Sequence, residues 1–148
     1  MLTHQHGLSR RSLLVVLPAL SLGPALLASE AGTTTLLRGH LDRQSVQAST
    51  SPDAALTFVT EDGKKYQVVG DRSSNGQLRD PKLIGRTWEL EGTMGSGNQF
   101  QIEKLYTIKD GKRHVVTYYC EICHIITHEP GLCMCCQADT ELQETVDK

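Results

Sequence analysis

From Gly32 to Tyr119 the chain reads as strands joined by turns: within short segments apolar and polar side chains alternate every second position, the period of a strand with one buried face. Residues 34–42 make a first strand by this reading. Residues 55–61 place Leu56 and Phe58 on one face, Asp62-Gly63 marks a tight turn, and 64–69 return with Tyr66 and Val68. Asp-Gly between alternating segments predicts a hairpin because both residues tolerate positive φ. Residues 70–81, with Ser73, Ser74, Asn75 and Gly76, read as a loop by composition. Residues 86–94 carry Trp88 and Leu90 on one face, with Gly92 breaking the strand. After a turn at 95–98, Phe100, Ile102, Tyr106 and Ile108 share one parity. A further turn at 109–112 leads into a β-rich run, 114–119, that ends directly in Cys120. The acidic tail, 139–148, reads as a frayed helix or solvated end.

Five or six short strands with such turns predict a mainly β fold: a small antiparallel barrel followed by a Cys-rich hairpin. The long second hairpin, the segment ending in Asp80-Pro81 and the run from Leu83 through Trp88 to Gly92 resemble the OB-type barrels of exported bacterial proteins. The expected layout is a signal at 1–31, an OB-like β domain at 32–118, and a metal-binding ribbon with its tail at 119–148.

The first residues have a different pattern. Ser9-Arg10-Arg11-Ser12 precedes an apolar run from Leu13 to Ala28 that Pro18 and Pro24 interrupt. A charged start, a short apolar stretch and small residues at its end predict a secretory signal, too short to span a bilayer. The paired Arg10 and Arg11 resemble the twin-arginine signal, which implies export of a folded protein to the periplasm or beyond. Cleavage after Ala28 and after Ala31 fit equally well.

The chain has 148 residues and a formal net charge of −2. Loss of the two arginines makes it more acidic, which argues against nucleic acid and anionic membrane surfaces as partners. Another exported protein is the expected partner, with no stable membrane insertion after cleavage. One tryptophan and two phenylalanines leave the core to Val, Leu, Ile and Tyr.

All five cysteines fall between residues 120 and 136. Cys120, Cys123, Cys133 and Cys136 form C-x2-C-x9-C-x2-C. Two tight turns of this kind present four thiolates face to face, a tetrahedral set suited to zinc. Disulfides are the alternative in an exported chain, but five is an odd number, and Cys135-Cys136 are adjacent. Cys135 reads as a bystander or a substitute ligand, partly shielded by its neighbours. His124 and His128 are possible alternative ligands, expected at the surface or behind the ligands.

Other cofactors fit parts of the pattern. Cys120-x-x-Cys123-His124 matches the attachment motif of haem c, with His124 as axial ligand. Rubredoxin-type iron would use the same four thiolates, though His124 and Gln137 stand where those turns favour glycine. Cys120, Pro130-Gly131, Cys133, Cys136 and Leu142 resemble the short heavy-metal-binding domain of bacterial efflux proteins, which implies Cu(I) or related soft metals. The segment departs from that family at Ile122-Cys123 and at Gln137-Ala138. No G-x-S-x-G elbow, H-E-x-x-H or phosphate-cradling glycine loop occurs. A zinc ion closed by four thiolates activates no water, so the expectation is a non-enzymatic protein with zinc in a structural role.

Overall fold

The computed structural model describes residues 33–49 and 51–148; the signal expected at 1–31, with Arg10 and Arg11, lies outside them. Eight strands follow in chain order: β1 (Thr35–Leu41), β2 (Leu56–Thr60), β3 (Lys65–Val69), β4 (Thr87–Met94), β5 (Gln99–Lys109), β6 (Lys112–Cys120), β7 (Ile125–Thr127) and β8 (Glu141–Val146). Helix α1 (Arg43–Ala48) follows β1. Helix α2 (Arg72–Arg79) and a 3-10 turn (Pro81–Leu83) separate β3 from β4. No helix among the described residues is long and apolar enough to cross a membrane.

The expected fold class is the observed one: mainly β, antiparallel, with a Cys-rich C-terminal segment. Strand β1 pairs with β2 and β4, β2 with β3, and β4 with β5. A parallel contact of β3 with β5, Gln67–Val69 against Gln99–Gln101, closes these five strands into a ring. Leu37, Leu56, Phe58, Val68, Trp88, Leu90 and Phe100 are buried together in its core. Burying a side chain such as Phe58 or Leu56 contributes about 1.5–3 kcal/mol.

Four elements differ from the expectation, each for a physical reason. The shared parity of Phe100, Ile102, Tyr106 and Ile108 fails midway. Glu91 faces Lys104 while Gly92 faces Ile102, so Glu103 is an extra residue in β5, a bulge. Beyond it the inward side is carried by Leu105 and the fully buried Thr107. Tyr106 passes to the other face, where the Arg113 guanidinium lies 5.1 Å from its ring centroid. Nor does Gly92 break β4, which runs on to Met94. It sits at the bulge because a Cβ there would overlap the Gln101 carbonyl oxygen.

Residues 70–81 are not a loop. Asp71 caps α2, its Oδ1 accepting the Ser74 N–H at 2.8 Å. The helix is stabilised by tertiary bonds that composition does not announce. Arg79 donates to the carbonyls of Ala54 (2.6 Å) and Ser51 (3.2 Å), and within the segment itself Asn75 exchanges bonds with both backbone groups of Gly70. The tail is neither frayed helix nor solvated end. It forms β8, which pairs with β6 from His114↔Val146 to Tyr119↔Glu141. Its Glu144, with a largely covered side chain, accepts from Arg86 at 2.9 Å and Thr107 at 2.8 Å.

Strand β6 links the ring to the cysteines. It leaves β5 through the Asp110-Gly111 turn, both residues at positive φ, and pairs with β5 only over Lys112–His114. Its far end, Tyr118–Cys120, pairs with β7.

Candidate metal centre

Alternation along β6 buries His114, Val116, Tyr118 and Cys120 on one face, so Cys120 reaches the end of the strand already covered. The chain then makes a tight turn in which His124 N–H donates to Cys120 O at 2.8 Å. A second turn repeats it: Gln137 N–H donates to Cys133 O at 2.9 Å. His124 and Gln137 hold the same position in the two turns and both are left-handed, at φ 54° and 61°. A side chain in that region costs roughly 1–2 kcal/mol, which two non-glycine residues here sustain in parallel. The second turn is pinned by Cys133 N–H to Ala138 O at 2.8 Å and by the Leu132↔Asp139 bridge.

The turns bring four sulfurs together. The Sγ atoms of Cys120, Cys123, Cys133 and Cys136 all lie within 4.8 Å of one another, and Cys120 Sγ is 3.5 Å from Cys136 Sγ. A tetrahedron with metal–sulfur bonds of ~2.3 Å has sulfurs ~3.8 Å apart. The arrangement therefore fits a metal ion after a contraction of about an ångström at most. Cys120 and Cys133 are buried, Cys123 and Cys136 half-buried.

Backbone polarity is symmetric as well. The N–H groups of Cys136 and Cys135 are directed at Cys133 and bring its thiol down to about 7. Those of Cys123 and Ile122 act on Cys120 in the same sense, but burial and the neighbouring thiols of Cys136 and Cys133 leave it raised. Cys123 faces the thiols of Cys136 and Cys135 and is pushed well up. Crowding four thiols disfavours ionising them all, unless a cation replaces the protons.

The remaining candidates stand apart from the cluster. His124 is exposed, and its Nδ1 lies 2.6 Å from Tyr119 Oη. His128 is exposed, with Nδ1 3.3 Å from Val116 O. Neither joins the four sulfurs. Cys135 differs from expectation: it is exposed rather than shielded, because the turn that buries Cys133 points its second following residue outward.

Several residues that hold this segment in place carry no sequence signal of the role. Gln77 Nε2 donates to His128 O at 2.8 Å. Tyr118 Oη donates to Asp80 Oδ2 at 2.6 Å between two buried side chains. Thr140 Oγ1 donates to Gly131 O at 2.7 Å, and Arg72 pairs with Glu129 at 3.2 Å. Gly76 abuts Pro130, where a Cβ would lie 2.9 Å from the proline Cδ. These contacts span up to 57 positions, from Arg72 to Glu129, beyond the reach of any local pattern.

No protein-family model matches the chain, and no curated protein or solved structure matches it significantly. Fold and site together define a class: a mainly β protein in which a strand-end turn and a hairpin turn gather four cysteines that could hold a metal ion.

Proposed function

We propose that this chain is an exported, non-enzymatic metal-binding protein in which Cys120, Cys123, Cys133 and Cys136 hold one zinc ion structurally, and that it serves as a structural or protein-interaction module. The observation that carries the reading is the equivalence of the two C-x-x-C turns, each with its i+4 hydrogen bond, its left-handed residue and two N–H groups on its first sulfur. Four thiolates and Zn²⁺ carry a formal −2, which those N–H groups offset. Zinc suits the set because it imposes no geometry beyond the tetrahedron. A bare ion fits better than haem c, since both cysteines of Cys120-x-x-Cys123-His124 already face Cys133 and Cys136.

Exposed Ile122, Ile126, Leu132 and Met134 in the same segment support docking to another exported protein, the partner class that an acidic chain with an export-type N-terminus favours. A second reading, handling of Cu(I) or a related soft metal, is favoured by exposed Met134 and Cys135 beside the cluster.

The test is elemental analysis with an absorption spectrum on the protein purified from its own compartment without added metal. One zinc per chain and no visible bands is the expected result. Iron bands or a Soret band would replace the structural reading with electron transfer. Copper would select metal handling, and metal-free, disulfide-bonded cysteines would remove the site.

A further inference from the structure

Helix α1 buries none of its residues fully, yet one of its faces walls a cavity. Arg43, Val46 and Gln47 are spaced three and four apart, so they share that face, and they line a space of about 120 Å³ with α2 and the 3-10 turn. The floor is apolar and covered: Leu78, Leu83 and Trp88 line it and are each at most 2% exposed. The rim is open, with Arg43, Gln47 and Gly85 exposed. Arg43 is the one charged residue that lines the cavity among those described, and none of the ion pairs among them uses it. Its neighbour Asp42 is engaged in capping α1, Oδ1 accepting the Gln44 N–H at 3.0 Å. Gly85 leaves room for the guanidinium on the rim, since a Cβ there would lie 3.2 Å from Arg43 Nη2.

We propose that this cavity binds a small monocarboxylate whose apolar body has about six carbons, a size set by the benzene that a slightly larger apolar cavity holds. The body rests on Leu78, Leu83 and Trp88. The carboxylate stays at the rim, where the Arg43 guanidinium takes its two oxygens in a planar fork and Gln47 stands one turn along the same helix face. Apolar floor and unpaired cation together select the ligand: an uncharged hydrocarbon leaves Arg43 without an anion, and a bare small anion leaves the floor empty. The site shares no residue with the cysteine cluster, so its fate is independent of the metal reading.

Trp88 is the chain's single tryptophan, so its fluorescence reports on the cavity floor. The full chain is titrated with hexanoate as the chain form of the ligand and cyclohexanecarboxylate as the ring form. A saturable change with either, at millimolar concentration or below, is the expected result, and the tighter of the two tells chain from ring. Acetate should give no change, and 1-hexanol should bind more weakly than hexanoate. Arg43→Gln, at an exposed position, should weaken the acids on the order of fivefold and leave 1-hexanol unaffected. Val46→Phe, which fills the cavity, should abolish the response. No saturable change with either acid would overturn the proposal. So would equal acid affinity in wild type and Arg43→Gln, or unchanged binding by a Val46→Phe protein whose circular dichroism matches wild type.

Discussion

Replacing Gly76 with alanine sets two effects of opposite sign against each other. Gly76 lies inside α2, where alanine is intrinsically better than glycine by about 0.8–1.0 kcal/mol. The added Cβ, however, would lie 2.9 Å from Pro130 Cδ and 3.2 Å from Cγ. A proline ring cannot rotate aside, so the helix or the segment leading to Cys133 must shift. Overpacking of this kind typically costs about 1–3 kcal/mol. The clash outweighs the propensity, and Gly76→Ala should destabilise by about 1 kcal/mol net. Pro130→Ala removes the obstructing ring, so Gly76→Ala added to that background should stabilise by about 0.5–1 kcal/mol. Urea unfolding of the four metal-loaded proteins measures both steps, provided the slopes agree. If Gly76→Ala alone stabilises by the full propensity value, α2 does not pack on Pro130 and the described anchoring of the cysteine segment is wrong.

Three further outcomes follow from the same geometry. Tyr118 is held well above the usual phenol range by burial, then by its bond to the Asp80 carboxylate. A raised pKa stabilises the fold fully below the unfolded value of 10.0 and progressively less above it. Stability should therefore fall above about pH 10, and Tyr118→Phe should flatten that decline while costing roughly 1–3 kcal/mol at neutral pH by leaving buried Asp80 Oδ2 without a donor; an unchanged alkaline profile would count against the pair. Gln137→Gly should stabilise the metal-loaded protein by roughly 0.5–1 kcal/mol, since it relieves a left-handed residue at some cost in unfolded-state entropy; thermal melts showing a loss instead would mean the Gln137 side chain has a role its exposure does not suggest. Cys133→Ser, or a strong chelator, should abolish metal binding and hydrogen-exchange protection around residues 120–137 while β1 to β5 keep theirs. Collapse of protection throughout would show that the ring depends on the metal.

Sequence alone determined what depends on near neighbours. Strands β1 to β4 and the Asp62-Gly63 and Asp110-Gly111 turns follow from period-two alternation and from residues that accept positive φ, both local properties. The four cysteines that meet were legible for the same reason: each C-x-x-C turn is closed by a hydrogen bond four residues long, so spacing encodes its geometry. Only the tertiary structure decided the rest. Residues 70–81 are polar and rich in Ser and Asn, poor material for an isolated helix, yet bonds from Gln77 and Arg79 to distant backbone hold them helical. The acidic tail became β8 because β6 offered an edge and Arg86 and Thr107 awaited Glu144. The face change in β5 came from one unpaired residue, Glu103, that its own neighbours do not mark. In each case the deciding energy is a contact between residues far apart in the chain, which no local pattern contains.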